Sequence, residues 1–192
     1  MNAPWSPRRA LTLALFAAAV GATGCKSAPA KQGQPEFEAA NNTIDTFSTD
    51  VGFGNSPAAV AVAKKFAVRL KKLEADSFTG GKDGEKDTFT RGNFLTYCEM
   101  NGNDVVFLVQ APNLDGYEGE VRQTLFQIAW QSAQEASGKP ADKNLVVALR
   151  GKLLFGAIGK GKATALAPTP EMGTSVEESE LYPYFATTPA KS

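Results

Sequence analysis

The sequence predicts an α+β fold: a two-layer sandwich in which a mainly antiparallel four-stranded sheet carries two helices, in the approximate order α-β-β-α-β-β. Three observations lead there. Residues 57–75 and 118–136 repeat apolar side chains at three- and four-residue intervals, the period of an amphipathic helix. Each stretch is followed by two short β-rich runs separated by a turn signal. Each apolar stripe needs a surface to cover, and a sheet with both helices on one face supplies it.

The first helix starts at Ser56-Pro57, an N-cap residue followed by a proline whose missing N–H costs nothing at that position. Its stripe is Ala59, Val62, Ala63, Phe66, Leu70 and Leu73, while Lys64, Lys65, Arg69, Lys71 and Lys72 occupy much of the remainder. Without interleaved aromatic residues, that basic face reads as solvated surface. Residues 76–93 form a charged, glycine-rich connection. Asp76, Asp83, Glu85 and Asp87 do not match the ligand spacing of a calcium loop.

The first hairpin pairs residues 94–100 with 105–110 around Asn101-Gly102, a dipeptide that tolerates positive φ. Phe94, Cys98 and Met100 share one face, and Leu95 and Tyr97 share the other. The run Val105-Val106-Phe107-Leu108-Val109 is apolar on both faces, which marks a central strand. Cys98 reads as a small buried hydrophobe. The second helix carries Val121, Leu125, Ile128, Ala129 and Ser132, widened by Phe126 and a core Trp130, and stops at Ser137-Gly138 before Pro140. The second hairpin pairs residues 144–149 with 152–158. Gly156 and Gly159 there signal a bend or a close backbone approach. The string Gly159-Lys160-Gly161-Lys162 lacks both the spacing and the Ser/Thr of a phosphate loop.

Composition excludes several chemistries. The 192 residues contain no histidine and two cysteines, so Ser-His-Asp, Cys-His and four-thiolate schemes are closed to a single chain. Twenty basic and twenty acidic side chains leave no bulk excess of charge to attract nucleic acid. No cofactor-binding motif and no metal-ligand set stands out.

The amino terminus has a separate character. Arg8 and Arg9 precede a largely apolar run of ten residues, 11–20, and then Gly21, Ala22, Thr23 and Gly24 lead into Cys25. A run of that length fits the core of an export signal and is too short to cross a bilayer. The segment Ala22-Thr23-Gly24-Cys25 resembles the lipobox of bacterial lipoproteins, with Ala22 where leucine is usual. The resemblance covers the first 25 residues and implies that Cys25 is diacylated and becomes the first residue of the mature chain. A second processing site, Ala28-Pro29-Ala30, would instead free a soluble periplasmic or secreted protein. Cleavage before Cys25 removes Arg8 and Arg9, leaving 18 basic and 20 acidic side chains.

The expected organisation is therefore a signal peptide at 1–24 and a flexible tether at 25–53 with a short strand at 44–51. An α+β domain at 54–162 and a proline-containing, partly docked segment at 163–192 follow. Three function classes fit. The first is an envelope lipoprotein, held by membrane lipid through Cys25, that acts as a noncatalytic interaction or assembly module with an envelope protein partner. Its contact cluster would be Tyr182, Tyr184 and Phe185. The second is a small-ligand carrier using the concave side of the sheet. The third is a hydrolase built on carboxylates among Asp104, Asp115, Glu118 and Glu120, which requires two of them to face each other across a cleft.

Overall fold

The computed structural model describes residues 33–44, 51–77, 88–117, 119–138, 142–152, 154–160, 167–173 and 180–185. In chain order the elements are α1 (Gln34–Asn41), β1 (Gly52–Gly54), α2 (Pro57–Ser77), β2 (Leu95–Met100) and β3 (Asp104–Gln110). A 3-10 turn (Pro112–Gly116) then leads to α3 (Gly119–Ser137), β4 (Asn144–Arg150), β5 (Leu154–Gly159), β6 (Glu171–Gly173) and the single turn α4 (Tyr182–Phe185). The α+β class is as expected. Both long helices begin and end within two residues of the predicted bounds, and the Ser56 hydroxyl accepts the Ala59 N–H at 3.1 Å as an N-cap should.

The sheet differs from the expected one. It has six strands in sequential order, and it is mixed: β1 runs parallel to β2 and β3 parallel to β4, while the other three pairings are antiparallel. The reason lies in the helices. A helix that returns the chain to the starting edge of the sheet makes the next strand parallel to the preceding one. α2 does this between β1 and β2, and α3 between β3 and β4, so each helix is the crossover of a βαβ unit with a hairpin attached.

β1 occupies residues expected to form a turn. Gly52 and Gly54 face α2, where a Cβ on Gly54 would lie 2.8 Å from the Ala59 Cβ and one on Gly52 would lie 2.7 Å from the Lys64 nitrogen. Glycine here lets the helix pass directly over the edge strand. Phe53 points the other way and meets Phe37 edge to face, with ring centroids 5.8 Å apart. Of the strand expected at 44–51, Ile44 is buried at the end of the α1 segment, and residues 45–50 lie outside those described.

Each face of the sheet has its own core. On one, Phe94, Cys98, Phe107, Val109, Leu145, Val147, Leu149 and Phe155 pack under Phe66, Leu70, Leu125 and Trp130 of the two long helices. On the other, Leu95, Tyr97, Val106, Leu108, Val146 and Ala148 pack under Phe37, Ala40 and Ile44 from the amino-terminal side and Leu181 and Phe185 from the carboxy-terminal side. The facing of Phe94 and Cys98 against Leu95 and Tyr97 follows the strand alternation predicted for them. Beside the second core, β6 adds a short edge strand to β5.

The second core corrects the expected tether at 25–53. Residues 34–44 are folded against the sheet, with Phe37 fully buried. An eight-residue helix is marginal alone in water, so docking holds it. Burying a phenylalanine contributes about 2–3 kcal/mol, and Arg150 adds a clamp. From the end of β4 its Nη2 donates to both Glu38 carboxylate oxygens at 3.0 Å, its Nε donates to the Gln110 Oε1, and its guanidinium lies 5.4 Å from the centre of the Phe37 ring. Replacing Arg150 with alanine is expected to lower stability by about 1–3 kcal/mol. Amide exchange is expected to accelerate over residues 34–41 while β3 and β4 stay protected; uniform acceleration would show that the clamp is not local.

Trp130 is core, as predicted, and explains Gly159. A Cβ at that position would come within 2.8 Å of the buried indole, which has no room to retreat. Gly159→Ala is therefore expected to cost about 1–3 kcal/mol in urea denaturation. Combined with Trp130→Phe, its cost should shrink well below the sum of the single effects, and full additivity would remove the steric explanation.

Candidate functional site

The residues singled out from the sequence do not assemble into one site. Cys25 and Glu118 lie outside the described residues. Asp104 begins β3 and accepts a hydrogen bond from the Asn144 side chain at 2.7 Å. Asp115 lies past the other end of the same strand and accepts the Lys152 N–H at 2.8 Å. Seven residues of strand hold these two carboxylates roughly 20 Å apart, too far to share a bond under attack. Glu120 is exposed at the start of α3. Among the described residues there is no cluster of three His, Cys, Asp or Glu side chains that would hold a metal ion.

The expected carboxy-terminal contact cluster also comes apart. Phe185 is 5% exposed and belongs to the second core, together with Leu181. Tyr184 packs against that core half-buried, its ring centroid 6.4 Å from that of Phe185. Burial, helped by the charge of Asp104, raises the pKa of its phenol. The side chain of Tyr182 is not among those described. Two of the three aromatic residues thus cover the sheet. Among the described residues, β3 and β4 are packed on both faces and present no open concave side to a small ligand.

Cys98 and Glu74 are two of the buried ionisable groups. Cys98 lies against α2 with no exposure, and burial, reinforced by the charge of Glu99, pushes its thiol up to about 12. It stays protonated at neutral pH and is a poor nucleophile. Glu74, on the apolar side of α2, was not singled out from the sequence and is 1% exposed. Its Oε1 accepts the Thr88 N–H at 2.9 Å, and its Oε2 accepts the N–H groups of Phe89 and Thr90 at 2.8 and 2.6 Å and the Thr90 hydroxyl at 2.9 Å. This carboxylate satisfies the backbone of the segment that leads into β2 and sets Phe89 edge to face on Phe94. Glutamate after Leu73 in a helical stripe gives no sign in the sequence that its partner lies fourteen residues on.

The feature open to a partner lies on the outer side of the helical layer. Lys64, Lys65, Val68 and Arg69 of α2 and Glu135 and Ala136 of α3 line an open groove of about 540 Å³. Arg69 and Glu135 bridge it with an ion pair at 3.3 Å. Val68 is 63% exposed, in the middle of the basic stripe. Lys64, Val68 and Lys72 fall four residues apart and so stand in one row. No helix among the described residues is long and apolar enough to cross a membrane. No family model matches the chain, and no curated protein or solved structure matches it.

The Glu74 site makes a prediction with a definite sign. Burial raises the pKa of its carboxyl, and the hydrogen bonds from Thr90, Phe89 and Thr88 only partly oppose this. A raised folded-state pKa favours the protonated acid in the folded protein. The contribution of this group is therefore most favourable below the usual glutamate value of about 4.3, and it declines as pH rises through the folded value. Urea denaturation between pH 4 and 7 is expected to show wild type losing its advantage over Glu74→Gln as pH rises. Glu74→Ala should cost about 3 kcal/mol, since it orphans three backbone donors. A constant difference between wild type and the glutamine variant would overturn the titration argument.

Proposed function

We propose that the chain is a lipoprotein of the bacterial cell envelope whose folded body acts as an interaction or assembly module. The observation that carries this reading is a spacing. The lipobox-like Ala22-Thr23-Gly24-Cys25 stands eight residues ahead of Gly33, where a body closed on both faces of its sheet begins. An acyl anchor on Cys25 would hold that body without a membrane-crossing helix. Two acyl chains on the thiol, with a further chain on the new amino group, exceed the one-chain limit below which binding is marginal. The partners proposed are bilayer lipid through Cys25 and a protein of the envelope. With 18 basic and 20 acidic side chains after cleavage, nucleic acid is a poor candidate.

Because Phe185 and Tyr184 are engaged in covering the sheet, contact with an envelope protein would fall elsewhere on the body. Mass spectrometry of the amino-terminal peptide from the membrane fraction tests the anchor. The expected result is acylated Cys25 as first residue, with membrane retention lost in Cys25→Ser. An unmodified Cys25, or a mature chain starting at Lys31, would overturn the reading.

A further inference from the structure

We infer that the α2 face carrying Lys64, Lys65, Val68 and Lys72 lies against an anionic phospholipid surface, so that the body is oriented on the membrane as well as tethered to it. The inference rests on the anchor at Cys25 and adds which face meets the bilayer.

Reach is the first argument. Seven residues lie between Cys25 and Gly33, and the eight Cα–Cα steps that join the two span at most about 28 Å. Gly33 sits at the edge strand, where a Cβ would lie 2.2 Å from the Gly54 carbonyl oxygen, and Gly54 in turn touches Ala59 in the first turn of α2. The chain therefore enters the body beside the amino-terminal end of α2. Lys64 and Lys72 lie roughly 10 and 23 Å along that helix, both inside the span of the leash.

Charge is the second. From Pro57 to Leu73, α2 contains five basic residues and no acidic one. Lys64, Lys65 and Lys72 are exposed, and no carboxylate of the described residues pairs with them. Arg69 is half engaged with Glu135, and Lys71 turns inward over the Phe94 ring. On the opposite side of the sheet, α1 has no basic residue; Glu36 is exposed and Glu38 is paired with Arg150. The unbalanced positive charge near the point of entry is therefore on the α2 face, the one that a negatively charged bilayer attracts. The exposed Val68 amid the lysines gives that face an apolar point to set among the headgroups. Each lysine near an anionic surface strengthens binding roughly fivefold, so the three together amount to about a hundredfold bias.

Lysine footprinting of the full mature protein reads this directly. The protein is reconstituted into neutral phosphatidylcholine vesicles and into vesicles containing phosphatidylglycerol, acetylated briefly, and digested for mass spectrometry. Lys64, Lys65 and Lys72 are expected to react several-fold more slowly on the anionic vesicles at low salt, and to recover at 0.5 M salt. Lys152 and Lys160, on the far side of the sheet order, should react alike on both. Equal reactivity of the α2 lysines on the two vesicles would overturn the inference. Protection in native membranes without protection on anionic vesicles would overturn it too, in favour of an acidic protein partner. Retention on neutral vesicles and the mass of the amino-terminal peptide report the anchor separately, so failure of the anchor and failure of the docking face are told apart.

Discussion

Everything in this molecule follows from two strands that are apolar on both faces. β3 and β4 bury Val105, Phe107, Leu145 and Val147 toward the long helices and Val106, Leu108, Val146 and Ala148 toward the other side. Such strands cannot leave a face in water. The two crossover helices cover one side, and the crossovers themselves make β1–β2 and β3–β4 parallel. The second face then has to find cover from outside the αββ repeat. It does so from both ends of the chain, with Phe37, Ala40 and Ile44 on one hand and Leu181 and Phe185 on the other.

Much of this was legible. The period of the apolar residues located both helices to within two residues, and Asn101-Gly102 located the first hairpin. The double-sided character of residues 105–110 was visible too. Its consequence, a third layer, was not. The segment that supplies it, Gln34–Asn41, is short and polar, with one buried aromatic residue, and has the composition of a tether. Its helix depends on contacts with Arg150 and Tyr97, more than fifty residues away, and local pattern does not encode such contacts. β1 escaped for a related reason. Gly-Phe-Gly reads as a turn, because glycine usually marks conformational freedom, whereas here it marks the close passage of α2.

The candidate sites were less legible than the fold. Aromatic residues near a carboxy terminus serve equally as a contact patch or as a cover, and only the unmet demand of the second sheet face separates the two roles. Asp104 and Asp115 stand eleven positions apart in sequence, and the strand that runs between them carries them to opposite ends of the sheet. Glu74 shows the reverse, a charge in an apolar stripe whose purpose depends on a loop that packs back upon it.

With Cys25 acylated as proposed, the demand for cover on the second face would also bear on how the protein meets a membrane. Were residues 25–53 a free tether, the body would wander on a leash of some 28 residues, and no face would have a privileged orientation. Docking of α1 leaves seven residues between Cys25 and Gly33 and fixes the point of entry at the edge strand beside α2. A short leash converts a weak surface attraction into an effectively intramolecular one, because the local concentration of membrane surface is then high at all times. Under that condition three exposed lysines on one helix would suffice to choose a side. On the proposed anchor, the packing of Phe37 and the clamp of Arg150 would do more than close a core, since they would shorten the connection through which charge on α2 orients the body.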